Sequence, residues 1–261
     1  MRIRFDFDLP GGKMELPMNY NNLIQAMIYT NLSEKLSDFL HNHGFEYEKR
    51  TFKMFTFSRL SGKHRIHNIR PGQCRIVFYS SFYFYLSSPF EQILQEFANK
   101  MVSGTPVNLN GNRFFLSSVQ VLMPPVFDMN ATPIKMLSPI TIRSTHNEDD
   151  REETQKTHYY SPLEEEFSQR IRLNLLKKYQ AFSNRAFDID GAEFEIKPLY
   201  FSEEKNFNLV TYKGFIIKGY TGIYELTGSR ELKQFAWDCG LGERNSQGFG
   251  MFDIWKRGEE V

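Results

Sequence analysis

Cysteine is scarce: only Cys74 and Cys239 occur in 261 residues. Two thiols so far apart make neither a disulfide framework nor a zinc ribbon. Long apolar runs are missing too, and none approaches the ~18 residues that suggest a membrane-spanning helix. The first residues, Met1-Arg-Ile-Arg-Phe-Asp, carry charge where a secretory signal is apolar. The expectation is a cytoplasmic protein with no membrane partner. Net charge is only +1, so bulk charge does not announce a polyanionic ligand. A further absence is local: residues 49–75 contain no Asp or Glu at all.

What fills that stretch is basic. It holds Lys49, Arg50, Lys53, Arg59, Lys63, Arg65, Arg70 and Arg75, with Phe52, Phe55 and Phe57 interleaved and His64 and His67 among them. Cations alternating with aromatics suit a surface that tracks phosphates and stacks bases. A strand pair with a basic outer face would read similarly; the complete lack of acids favours the phosphate track. Lys49, Arg50, Arg59, Lys63 and Arg65 are the expected backbone contacts. The two halves differ in the same sense. Residues 1–123 hold 14 Lys/Arg against 9 Asp/Glu, a net of +5, and residues 124–261 hold the other 18 against 22, a net of −4. Such asymmetry points to an anion meeting the first half. The acidic run Asn147-Glu-Asp-Asp-Arg-Glu-Glu153 reads as a solvated loop.

Glycine gathers near the C-terminus. Gly240, Gly242, Gly248 and Gly250 fall within eleven residues, against a background of about 7%. Backbone without Cβ atoms can bring N–H groups close to an anion. A phosphate-binding loop made of Gly240, Gly242, Arg244, Asn245, Ser246, Gln247, Gly248 and Gly250 is therefore expected. It is not a Walker A loop, which needs Lys-Ser or Lys-Thr after its last glycine. Nor is it a dinucleotide fingerprint, which leaves a strand and opens a helix. Here a helical stretch comes first, a strand follows, and Asn245 holds the third glycine position. No cofactor is expected.

The periodicities give an element order. Arg2 to Asp8 alternates with Ile3, Phe5 and Phe7 on one face, and Gly11-Gly12 turns the chain. A helical stripe follows with Leu23, Ile24, Met27, Ile28 and Leu32. A break at Asn31–Ser33 lets Ser33 cap a second piece holding Leu36, Phe39 and Leu40, which Gly44 ends. Phe52 to Leu60 and Cys74 to Ser87 are strands, Phe90 to Val102 is a helix, and Arg113 to Met123 is a closing strand. That order is βαββαβ. Prolines 124, 125 and 133 bracket a linker, residues 124–133. The order then repeats: strand Lys135 to Ser144, helix Pro162 to Phe182, strands Glu193 to Tyr200 and Gly214 to Thr227. Ser229 caps a helix to Cys239, and Phe249 to Lys256 closes the sheet. The fold class is α+β, two tandem ferredoxin-like domains of the kind RNA-recognition domains share, with boundaries 1–123 and 134–261.

The pattern G-x-G-x(5)-G-F-G resembles the glycine-rich loop of the repeat-associated CRISPR proteins. More narrowly, the chain is similar to the CRISPR-associated endoribonucleases that cut precursor CRISPR RNA within its repeats. Met27-Ile28-Tyr29, Phe39-Leu40-His41 and Phe52-Lys53-Met54-Phe55-Thr56-Phe57-Ser58 resemble the positions of a Tyr-His-Lys set in archaeal members. The resemblance implies Tyr29, His41 and Lys53 as the catalytic residues. It implies CRISPR repeat RNA, single-stranded or a weak hairpin, as partner, and leaves open an effector complex or a homodimer. His43 departs from the pattern and leaves open which imidazole faces the scissile phosphate. A non-catalytic RNA-binding protein of the same superfamily is the alternative.

The residue types suit the chemistry by themselves. RNA carries its own nucleophile, the 2′-OH. A histidine can act as acid or base near neutral pH, and a lysine can stabilise charge building on phosphorus. Tyrosine, with an ordinary pKa near 10, positions a group unless shifted. The histidine pairs His41/His43 and His64/His67 lack acidic or cysteine partners, so no metal site is expected. One geometric requirement follows. Tyr29 and His41 on one straight helix would be about 18 Å and about 120° apart, so sharing one phosphate requires the break at Asn31–Ser33.

Overall fold

The computed structural model describes residues 1–70, 73–147, 155–183 and 193–258. The acidic segment 148–153 lies outside the described residues. Alternation puts Ile3, Phe5 and Phe7 into the first core, but the strand runs on: β1 spans Arg2–Pro17. The Gly11-Gly12 pair, expected to turn the chain, sits instead in a register shift between Asp8 and Lys13. A bulge needs such permissive backbone, so the chain bends without reversing.

After β1 come α1 (Asn21–Thr30) and α2 (Glu34–Asp38). The break between them is where the capping pattern required it: Ser33 Oγ accepts the Leu36 N–H. A π-helical turn, Phe39–His43, follows and ends at Gly44. Next are a small hairpin of β2 (Phe45–Tyr47) and β3 (Arg50–Phe52), then β4 (Thr56–Phe57), β5 (His64–Arg70), β6 (Gln73–Ser87), α3 (Glu91–Val102), β7 (Val107–Leu109) and β8 (Asn112–Leu122). The expected strand from Phe52 to Leu60 is thus interrupted, because Met54 takes φ +54. The sheet order is β4-β6-β1-β8-β7, with β5 also on β6. In terms of the βαββαβ pattern, the strands lie second, third, first, fourth.

The second half holds β9 (Thr132–Met136), β10 (Arg143–Asn147), β11 (Gln155–Tyr159), α4 (Glu165–Ser183), β12 (Phe194–Tyr200), α5 (Glu203–Asn206), β13 (Phe207–Tyr212), β14 (Phe215–Tyr220), β15 (Ile223–Gly228), α6 (Arg230–Cys239) and β16 (Phe252–Ile254). Its main sheet, β12-β15-β9-β16, repeats the same order. The single strand expected from Gly214 to Thr227 is two: β14 pairs with β13 as a hairpin, and β15 joins the sheet. The chain is therefore α+β, with two ferredoxin-like domains in tandem. Each has its own core. Phe5, Phe84, Phe97 and Phe114 lie in the first, and Ile171, Leu175, Tyr224, Trp237 and Phe252 in the second.

Several contacts fasten the domains together, two of them built from backbone carbonyls of the second domain. Arg2, fully buried, donates to the Phe252 and Trp237 carbonyls at 2.8 and 2.7 Å. The glycine loop of the second domain docks on the first: Asn21 Nδ2 donates to the Gln247 carbonyl, Gln25 Nε2 to the Ser246 carbonyl, and Thr56 Oγ1 to the Phe249 carbonyl.

Candidate active site

The π-helical turn exposes His41 and His43. Single π-turns carry an extra residue per turn and recur at functional positions. Gly44, at φ +70, closes the turn. A Cβ there would stand 2.7 Å from the Phe52 carbonyl and 3.3 Å from Lys53 Cδ, so glycine lets β3 and Lys53 press against the turn. Lys53 Nζ donates to the His41 carbonyl at 3.0 Å. Its neighbour Met54 holds the left-handed conformation while buried, and Ser88 Oγ pins its carbonyl at 2.6 Å. That strain, of order 1–3 kcal/mol, separates the directions of Lys53 and Phe55. Phe55 goes into the core, where Tyr29 lies edge-on to it with ring centroids 5.8 Å apart. Tyr29 and His41 thus both touch the short link of residues 53–55 between β3 and β4, Tyr29 through Phe55 and His41 through its own carbonyl to Lys53.

Burial pushes the Tyr29 hydroxyl up to about 12, with Tyr212 adding to the effect. The phenol stays protonated at neutral pH and can donate. Burial lowers Lys53, and Glu46 opposes the shift. The His41 ring lies beside its neighbour, Nδ1 being 3.0 Å from Asn42 Oδ1.

Beside Lys53 opens a cleft of about 850 Å³ with walls from both domains. β3 and the residues after it supply Arg50, Lys53, Met54 and Phe55. β10 supplies Arg143, α4 supplies Arg170, Asn174 and Lys178, and the glycine loop supplies residues 242–247. Tyr29 and His41 stand outside this lining. Glu243 faces Arg50 at 3.7 Å and Arg143 at 3.4 Å. Burial pushes its carboxyl up, while Arg143, Arg50 and Arg244 pull the other way. Lys178 is fully engaged, donating to the Gly240 and Gly242 carbonyls and to Asn245 Oδ1 at 2.6, 3.1 and 3.0 Å.

The basic run is divided by the fold. Arg50 and Lys53 line the cleft, and Lys49 lies in the turn between β2 and β3. Arg59 donates to Asn208 Oδ1 on β13 at 2.8 Å. Lys63 and Arg65 are exposed, before and on β5, which pairs with the opposite end of β6 from β4. His64 and His67 are there too, away from His41. Among the described residues no three His, Cys, Asp or Glu gather as a metal site would need.

The glycine loop needs a correction. Its N–H groups were expected to face phosphate, yet those of Gly240, Gly248 and Gly250 donate to the Ala236, Asn245 and Pro139 carbonyls. The glycines answer to packing. A Cβ on Gly250 would lie 1.9 Å from the Leu241 carbonyl oxygen, and one on Gly242 2.4 Å from that of Thr141. A Cβ on Gly248 would lie 2.4 Å from Phe57 Cε2. Arg244, Asn245, Ser246 and Gln247 remain on the cleft wall, so the loop meets the cleft with its polar tip. Arg143, Arg170, Asn174 and Glu243 were not foreseen. The signal available was a row spaced by four, Arg170, Asn174 and Lys178, flanking the apolar stripe Phe167, Ile171 and Leu175.

Residues 15–120 match the family described as CRISPR-associated protein Cas6, N-terminal, and residues 122–254 match CRISPR associated protein Cas6, C-terminal. The chain is 27% identical over 240 residues to CRISPR-associated endoribonuclease Cas6 1 of Methanocaldococcus jannaschii, covering 90% of this chain and 86% of that relative. It is 26% identical over 244 residues to CRISPR-associated endoribonuclease Cas6 of Pyrococcus furiosus, covering 92% and 84%. A solved structure from a Cas6-related gene of Pyrococcus furiosus superposes with a TM-score of 0.80 at 22% identity, over 98% of this chain and 99% of that one. A structure of a CRISPR associated protein Cas6 gives 0.74 at 25% identity, with the same coverage. The two family matches abut and share the chain between its two domains: the chain belongs to the Cas6 family of CRISPR-associated proteins.

Proposed function

We propose that this chain is an endoribonuclease that cuts precursor CRISPR RNA within its repeats without a metal ion. The observation that carries the reading is the bond from Lys53 Nζ to the His41 carbonyl. It holds a cation of the basic cleft against the backbone of the residue that bears an exposed imidazole. The relatives named above as endoribonucleases support it. In the reaction the 2′-oxygen attacks the adjacent phosphorus, and the bond from phosphorus to the 5′-oxygen breaks. The 2′-OH proton goes to a base and the departing 5′-oxygen takes a proton from an acid. The products are a 2′,3′-cyclic phosphate and a 5′-OH. His41 can take either proton role. Tyr29, held protonated, donates to the phosphate or orients it. Lys53 offsets the charge that builds on the phosphoryl oxygens. Side chains supply every role, so no metal ion is required.

The test is single-turnover cleavage of the repeat RNA in EDTA, with and without one deoxyribose on the 5′ side of the cut. Cleavage of the all-ribose RNA in EDTA, with binding but no cleavage of the deoxy RNA, is expected. Cleavage of the deoxy RNA, or its dependence on a divalent ion, overturns the mechanism. Tight binding with no cleavage of either RNA replaces it with a non-catalytic repeat binder or effector-complex subunit.

A further inference from the structure

Asn174 lies on α4 between two engaged neighbours. One turn before it, the Arg170 guanidinium lies 4.2 Å over the Tyr160 ring. One turn after it, Lys178 is held by the glycine loop. Asn174 lines the same cleft and is only 4% exposed, yet among the described residues its Oδ1 has no hydrogen-bond partner. A buried polar atom left unpaired destabilises a fold by about 1–3 kcal/mol, and each such atom in a native protein calls for an explanation. Leucine would fill much the same volume in this helix without that penalty. The surrounding wall is rich in donors: Arg50, Arg143, Arg170 and Arg244. It suits phosphates. Of the other side-chain amides on this wall, Asn245 Oδ1 accepts from Lys178 and Gln247 Oε1 accepts from Arg244, which leaves Asn174 Oδ1 as the wall's unpaired amide acceptor among the described residues.

We infer that the Asn174 side-chain amide reads the edge of an adenine in RNA bound along the cleft. The amide offers an acceptor beside a donor. Adenine presents the complementary pair, amino group beside ring nitrogen, on both its Watson–Crick and its Hoogsteen edge. Cytosine and uracil match the amide on the Watson–Crick edge, and guanine matches it on its Watson–Crick edge, O6 beside N1–H, and on its sugar-side edge. Adenine alone carries the complementary pair on its Hoogsteen edge, the edge that faces outward when the Watson–Crick edge is occupied, and amide pairing to its amino group and N7 is the recurrent contact, giving about 1–3 kcal/mol of discrimination. The inference rests on the RNA-binding reading above but not on cleavage.

The test uses binding alone, by fluorescence anisotropy, with labelled octamers rA8, rC8 and rU8 and a purine-riboside octamer that lacks only the amino group. Wild type is expected to bind rA8 at least tenfold more tightly than the other three. Asn174→Leu is expected to bind all four alike while melting at or above the wild-type temperature. Asn174→Asp keeps an acceptor, so it retains the preference for rA8 over the purine octamer despite weaker binding throughout; this variant carries the test if the leucine variant does not fold. Equal binding of the octamers by wild type, or a full rA8 preference in Asn174→Leu, overturns the inference. Cleavage without the amino preference sinks this inference alone, and the preference without cleavage sinks only the endonuclease reading.

Discussion

His41 and His43 stand two residues apart in one π-helical turn, but only the His41 carbonyl receives Lys53 Nζ. That contact favours His41 as the imidazole beside the scissile phosphate. His41→Ala is expected to lower the single-turnover rate by roughly 10²- to 10⁴-fold, the usual contribution of a general acid or base. His43→Ala is expected to change it far less. The reverse order would reassign the imidazole, and two unimpaired variants would end the imidazole mechanism. Tyr29 makes a separate statement about pH. Its folded-state pKa, about 12, lies above the ordinary 10 because of burial. A raised pKa means its contribution to stability is complete below about pH 10 and is lost as pH rises towards 12. Melting temperature measured from neutral pH upwards should therefore fall in that window, and Tyr29→Phe should flatten part of the fall. An identical alkaline profile in the variant would show that Tyr29 is not desolvated.

At the scale of elements, the glycine loop is where sequence and structure part. Four glycines show that backbone passes close to something, but a sequence does not say whether that is phosphate or protein. The glycines pass close to protein, and for Gly248 the neighbours Asn21 and Phe57 lie some two hundred residues away in the chain. Gly248 has φ +83, and an added Cβ would meet Phe57 Cε2 at 2.4 Å and Asn21 Nδ2 at 2.7 Å. The left-handed conformation costs about 1–2 kcal/mol for a side chain, and overpacking about 1–3 kcal/mol more. Gly248→Ala should then melt lower by roughly 5–15 °C, while the folded protein binds repeat RNA within about threefold of wild type. A tenfold affinity loss at an unchanged melting temperature would restore the phosphate cradle. The elements themselves were legible where periodicity is strong: β1 from Ile3, Phe5 and Phe7, the α1–α2 break from Ser33, and α6 from Ser229. The Met54 conformation that splits the 52–60 strand was not, since nothing in Met marks a left-handed residue. The cleft row on α4 was hidden for another reason. Arg170 and Asn174 sit beside an apolar stripe, where polar residues usually mark the solvent-facing border of a helix.

For the whole molecule, the cleft exists only while the two domains stay in register, because Arg50 comes from the first and Arg143 and Arg170 from the second. Arg2 is the buried fastening. It reaches from β1 to the Trp237 and Phe252 carbonyls, and its guanidinium lies 3.9 Å over the Trp237 ring. Burial pulls its pKa down to about 10, against the pull of Asp253 and Asp238. The nearest carboxylate, Asp253, is 3.9 Å away and 42% exposed, so the carbonyl bonds and the ring, more than an ion pair, hold the charge. Arg2→Met keeps the length and removes both donors. Two carbonyls are then left unpaired at about 1–3 kcal/mol each, partly offset because a buried charge is no longer desolvated. The glycine-loop contacts of Asn21, Gln25 and Thr56 remain, so the domains should loosen without unfolding. Calorimetry should show one transition for the wild type and a lower, broadened or split one for Arg2→Met. RNA affinity should fall together with the steepness of its salt dependence, since phosphate contacts contribute about 0.7 each to the slope on single strands and the cleft arginines would no longer act in concert. A variant that melts as wild type, with the same salt slope, would show that the other contacts between the domains, the glycine-loop dock among them, set the domain register and that Arg2 is a passenger in the interface.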